Sequence, residues 1–114
     1  VCAYHGLSLA DGQPIAVFES LFPILRLPRI TAALTETSSV TRALSIAGID
    51  DYTRASTRLT AVRATATHAL LLNVGEGDPL LRSSSVNTCA IGKPVEYGRT
   101  WFAGDRVTLT LEDQ

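Results

Sequence analysis

Two arginines four positions apart, Arg54 and Arg58, stand in the stretch Asp51-Tyr-Thr-Arg-Ala-Ser-Thr-Arg-Leu-Thr-Ala61. Read as a strand, this stretch alternates. Tyr52, Arg54, Ser56 and Arg58 then share one side, and Ala55, Leu59 and Ala61 fall on the other with Thr57. Read as a helix, Arg54 and Arg58 remain neighbours, because four residues make about one turn. Two guanidinium groups brought together on a chain with no basic excess repel each other unless something negative lies between them. Two arginine forks match the compact three-oxygen head of a phosphonate or phosphate, and Ser56, between them on a strand, adds a hydroxyl donor. The alternative is a solvated basic face paired with carboxylates such as Asp50 or Asp51.

Ser39 and Thr41 open a predicted helix, where free backbone N–H groups favour an anion. A serine at that place also serves as a simple N-cap, and both roles can hold at once. Glu96, in Val95-Glu-Tyr-Gly-Arg-Thr-Trp-Phe102, shares a strand side with Gly98, Thr100 and Phe102 and opposes Val95, Tyr97 and Trp101. Its carboxylate is suited to an ammonium group on a ligand. His5 and His68 are the only histidines. With Cys2 and Cys89 far apart and no His-x-His or Cys-x-x-Cys spacing, no metal is expected, nor any cofactor. No serine lies in Gly-x-Ser-x-Gly. Asp11-Gly12 and Gly75-Glu-Gly77 lack the Gly-Lys-Ser/Thr ending of a phosphate loop. No set of nucleophile, base and orienting group can be assembled, so catalysis is not expected.

These residues must be positioned by a chain of 114 residues, enough for one domain with a single core. Its net charge of -1 gives no global electrostatic footprint for nucleic acid. No apolar run approaches the roughly 20 residues that span a bilayer, and there is no charged-then-apolar leader. Two cysteines do not make a disulfide framework, which fits free thiols in a cytoplasmic protein. The chain lacks methionine and begins Val-Cys-Ala in what reads as a strand, so a fragment or a processed form is expected.

Val1 to Leu9 leads into Asp11-Gly12, a hairpin-turn signal, and Ile15 to Phe22 reads as the return strand. Pro23 and Pro28 break the pattern. A short helix is predicted over Arg29 to Thr35, and a second over Ser39 to Ala47 with Ser38 or Ser39 as N-cap and Gly48 as the stop. After the arginine stretch, Arg63 to Asn73 reads as a helix with Ala66, Ala69, Leu70 and Leu72 at helical spacing. Gly75 to Pro79 is a loop. Leu80 to Cys89, Val95 to Phe102 and Val107 to Leu111 read as a three-strand meander, the last being the cleanest alternation in the chain. The pattern predicts an α+β domain with a mainly antiparallel sheet and three to four helices.

Three blocks resemble the UTRA effector-binding domain of the HutC subfamily of GntR-type bacterial transcription regulators. They are Asp11-Gly-Gln-Pro-Ile-Ala16, Leu72-Asn-Val-Gly-Glu-Gly-Asp-Pro-Leu-Leu81, and Gly92-Lys-Pro-Val-Glu-Tyr97 followed by Phe102-Ala-Gly-Asp-Arg106. They occur in the family's order over nearly the whole chain. Within the family, the repeated Thr-Arg of Tyr52 to Arg58 and the Trp-Phe-Ala-Gly-Asp-Arg ending resemble the regulators of phosphonate utilisation.

The resemblance implies a chorismate-lyase-like fold without catalysis, serving as the effector-binding and dimerisation domain over residues 1–114. It also implies a homodimer that acts as a repressor and reaches operator DNA through an N-terminal winged helix-turn-helix outside this sequence. The expected ligand is a small anionic effector, a phosphonate or phosphorylated metabolite. Ser39 matches a serine that contacts the ligand's phosphate in related domains, and Glu96 matches the family's Pro-Val-Glu-Tyr glutamate. Phe102 stands where a tyrosine is common. Gly6 and Ser8 replace first-strand arginines of the sugar-phosphate sensors, and Phe18 replaces a common acid. The expected ligand-binding set is therefore Arg54, Ser56, Arg58, Ser39, Thr41, Glu96 and Phe102. A small enzyme on the same scaffold, acting on an anionic metabolite, and a domain that only dimerises are the competing readings.

Overall fold

A computed structural model of the chain describes residues 1–112. Eight elements follow in the order β1 (Cys2–Ala10), β2 (Gln13–Phe22), α1 (Ile30–Glu36), α2 (Val40–Ile46), β3 (Tyr52–Arg63), α3 (Ala66–Leu72), β4 (Pro79–Cys89) and β5 (Pro94–Ala103). The strands form one sheet in the order β1-β2-β5-β4-β3, with every pair antiparallel. The fold is α+β, as the sequence predicts.

The local signals act as expected at most junctions. Asp11 and Gly12 both take positive φ, 51° and 77°, the primed-turn geometry that joins β1 to β2 without splaying them. Ser39 caps α2 by accepting the Arg42 N–H at 3.3 Å. Thr65 does the same for α3 through His68 N–H. That cap explains why α3 starts three residues later than the predicted Arg63: β3 runs on through Arg63, and the chain must leave it before a helix can begin.

The helices divide between the two faces of the sheet. α1 and α2 lie on one, where Phe22, Leu27, Ile30, Ala33, Ala43, Leu44 and Val95 form a buried cluster against Tyr4, Tyr52, Cys2 and Cys89. α3 lies on the other, where Val17, Ala64, Ala69, Leu72 and Leu80 pack with Val62 and Trp101. Leu70, expected on the buried stripe of α3, is instead 85% exposed, because a seven-residue helix buries only the Ala69–Leu72 side.

One predicted strand is absent. Val107 to Leu111 pairs with nothing and has no regular structure. A meander would require it to fold back on β5, but both edges of β5 are already occupied, by β2 and β4. Alternating side chains cannot make a strand where no free edge is offered. The chain is held here by Arg106, whose guanidinium donates to the carbonyls of Pro14, Leu72 and Asn73 and so fastens the β1–β2 hairpin to the end of α3.

Candidate functional site

Two bulges decide which side chains meet. On β3 the pairing passes from Arg54 opposite Asn87 to Ser56 opposite Val86, leaving Ala55 as an extra residue. A one-residue insertion moves every later side chain to the other face. The two cores confirm the switch: Tyr52 packs into the α1/α2 cluster and Val62 into the α3 cluster, although both are even-numbered. Arg54 therefore faces α1 and α2, while Ser56 and Arg58 face the α3 side. This corrects the expected grouping of Arg54, Ser56 and Arg58 on one side. Neither Asp50 nor Asp51 serves as the arginines' partner: among the described residues the ion pairs are those of His5 and Arg99 with Glu19, and of Arg106 with Asp105. The Asp50 carboxylate accepts from Ser45 instead.

The second bulge, on β5, leaves Val95 as the extra residue between the pairs Thr88–Pro94 and Asn87–Glu96. It sends Val95 into the α1/α2 core rather than to the side of Tyr97 and Trp101. Glu96 keeps the face it was expected to share with Gly98, Thr100 and Phe102.

On the α1/α2 face these positions assemble a polar row across four strands. Ser20 Oγ donates to Glu96 Oε2 at 2.8 Å, Asn87 Nδ2 donates to Glu96 Oε1 at 2.8 Å, and Arg54 Nε donates to Asn87 Oδ1 at 2.8 Å. A further Arg54 nitrogen donates to Thr57 Oγ1 at 3.2 Å. Ser20, Asn87 and Glu96 are all buried, with Glu96 only 8% exposed. The carboxylate thus receives neutral donors alone, and the nearest cation of the row is one amide away. Burying a charge this way is costly unless a counter-charge completes it. Asn87 and Ser20 were not in the expected set; their β-strand parity marks their face, but only the pairing register reveals that they meet Glu96.

Small residues extend from this row along the sheet. Gly98 and Thr100 on β5 pair with Ser85 and Ser83 on β4, making a shallow trough between Phe18 on β2 and Thr57 and Leu59 on β3. Phe18 closes the first-strand side. Its ring lies over Gly6, where an added Cβ would come within 2.1 Å of the ring's Cζ. The ring occupies the space above the strand position that carries an arginine in the sugar-phosphate sensors. Phe102 sits on the same face six residues from Glu96, roughly 20 Å along the strand at the usual rise, beside Ala16 and Leu81. The polar row and Phe102 therefore mark opposite ends of the trough.

The start of α2 reaches over the polar end and is tied to the sheet on both sides. Tyr4 on β1 donates its hydroxyl to the Ser38 carbonyl at 3.4 Å. Tyr52 on β3 shares a 2.9 Å hydrogen bond with Thr41. Because Tyr4 is paired with Ser20 and Tyr52 is two residues from Arg54, the two tyrosines flank the row and hold Ser39, Thr41 and Arg42 at its end. Ser39 Oγ uses one lone pair on the cap, and its O–H proton is free to donate.

Among the described residues no group of three His, Cys, Asp or Glu side chains could hold a metal, and no helix is long and apolar enough to cross a membrane.

Comparison with known proteins gives a consistent picture. A family model described as the UTRA domain matches residues 1–108. An uncharacterized HTH-type transcriptional regulator of Rhizobium meliloti (strain 1021) is 40% identical over 106 residues, which cover 93% of this chain and 43% of that protein. The chain thus spans less than half of that relative's length. A GntR-family transcriptional regulator from Enterococcus faecalis V583 is similar in structure, with a TM-score of 0.75 at 26% identity over 96% of this chain and 78% of that one. The effector domain of PhnF from Mycobacterium smegmatis shares the fold, with a TM-score of 0.85 at 22% identity, covering 98% of this chain and 68% of the other.

Proposed function

Because the chain belongs to the UTRA domain family, we propose that it is the ligand-sensing part of a bacterial GntR-type transcription regulator of the HutC subfamily, and that its effector sits in the trough on the α1/α2 face. The observation that carries this is the buried Glu96 carboxylate, bonded only by Ser20 and Asn87, with the Arg54 guanidinium one amide away. Such a row offers one anionic and one cationic group at fixed separation. It suits a compact zwitterion whose ammonium completes Glu96 and whose phosphonate or phosphate lies by Arg54 and the hydroxyls of Ser39 and Thr41. Each carboxylate oxygen keeps a second lone pair for such a contact. Ser56 and Arg58, on the opposite face, stand outside this site.

In the whole protein, ligand binding would alter operator affinity through a separate DNA-binding part, in a cytoplasmic homodimer acting as a repressor. The row does not favour the competing catalytic reading: Ser20 bonds Glu96 directly, with no imidazole between them.

Calorimetry with 2-aminoethylphosphonate and ethylphosphonate tests the reading. The native chain should prefer the amine at least roughly ten-fold, since a hydrogen bond to a charged group contributes about 1.5–3 kcal/mol. Glu96→Gln should lose the preference while still binding the phosphonate. Equal discrimination by both proteins would contradict the assignment of Glu96, and turnover of either compound would favour an enzyme.

A further inference from the structure

A second concave feature lies on the other face. A cleft of about 520 Å³ opens between α3 and the β1–β2–β5 half of the sheet, a volume within the range of small-molecule sites. We propose that it is a second ligand site, distinct from the trough on the α1/α2 face, for a flat aromatic compound bearing an amidine or similar planar cation.

The walls supply the aromatic preference. Val17 and Trp101 lie at its base, with Leu7 on one side and Leu71 of α3 on the other. Trp101 is held in place by two neighbours: the His68 ring, 4.5 Å away and tilted by 42°, and the Arg99 guanidinium, 5.3 Å from the indole centroid. The indole is thus a fixed aromatic wall, which suits edge-on contact with a flat ring.

The charge preference comes from Glu19. Its Oε1 accepts two hydrogen bonds from Arg99. Its Oε2 has only His5 Nδ1 at 3.7 Å, too long for a hydrogen bond. This cleft-lining side chain therefore keeps one carboxylate oxygen with its lone pairs unspent, a match for a planar N–H donor. Burial, and then the Arg99 charge, hold the His68 pKa below the usual histidine value, so this ring adds no positive charge to the wall at pH 7.

The chain has a single tryptophan, Trp101, so its fluorescence reports directly on this cleft. Titration with benzamidine should give a saturable change with a Kd on the order of 1 mM, as expected for so small a compound, whereas benzoate should give none. Glu19→Gln should weaken benzamidine about ten-fold. Thr67→Phe, which fills the α3 wall and leaves Glu19 intact, should abolish the change, and Arg29→Ala, an exposed cation at the start of α1, should leave it as it is. The proposal is overturned if benzamidine gives no saturable change, if benzoate matches it, or if Thr67→Phe binds normally. It is also overturned if the signal tracks protein concentration in size-exclusion runs, which would mean that a second copy occupies the cleft.

Discussion

At the scale of single residues, Asn87 holds the site together. Its amide joins a guanidinium to a carboxylate, accepting through oxygen from the Arg54 guanidinium and donating through nitrogen to the Glu96 carboxylate. Removing it leaves Glu96 with one donor fewer at a buried position. Asn87→Ala should therefore lower stability by about 1–3 kcal/mol, read as a shift of the urea midpoint at unchanged slope. A loss within about 0.5 kcal/mol, the range of ordinary surface substitutions, would show that the row is not mechanically important. Residue types alone revealed part of this row. Arg54 and Glu96 were recognisable because paired charges and the Pro-Val-Glu-Tyr motif draw attention to them. Asn87 and Ser20 were not, because an asparagine and a serine in strands carry no chemical signal until the register brings them opposite a carboxylate. The error over Ser56 and Arg58 has the same source. Ala55 is a residue that any strand tolerates, and nothing in its type announces that it is the extra one.

At the scale of elements, the hairpin, both caps and the two helical cores follow from local chemistry: Asp11-Gly12, Ser39, Thr65 and the apolar spacing of α1 and α2. The failure at Val107 to Leu111 shows the limit of such reasoning, since alternation describes a strand's faces and not its edges. The edge strand β3 shows a converse case. It is 12 residues long and exposed along almost all of its length, yet its arginines and its bulge discourage pairing with other chains. The docking of α3 carries a pH dependence. Burial and the nearby Arg99 lower the His68 pKa from 6.5, so the unfolded chain takes up this proton first on acidification. Stability from this group is thus complete above about pH 6.5 and declines as the pH falls toward the lower folded value. Thermal unfolding followed from about pH 7.5 to about pH 5 should show a decline that is shallower in His68→Gln; identical slopes would exclude a contribution from His68.

At the scale of the whole molecule, the sheet presents two chemically different faces. One carries the Ser20–Glu96–Asn87–Arg54 row, buried up to Asn87 and exposed at Arg54, beneath the start of α2, and the other carries Ser56, Arg58 and the α3 cleft. The bulge at Ala55 draws the line between them, so effector binding should depend on Arg54 and not on Arg58. The most direct measurement is a thermal-shift screen of the native chain over phosphonates, phosphate, phosphate esters and chorismate, followed by titration of any hit against Arg54→Ala and Arg58→Ala. A ligand at a hundred times its dissociation constant stabilises by about 2.7 kcal/mol, well above detection. A phosphonate or phosphate should hit, with an affinity that falls at least roughly ten-fold in Arg54→Ala and is unchanged in Arg58→Ala. A hit lost in Arg58→Ala and kept in Arg54→Ala, or no hit from any compound, would contradict it.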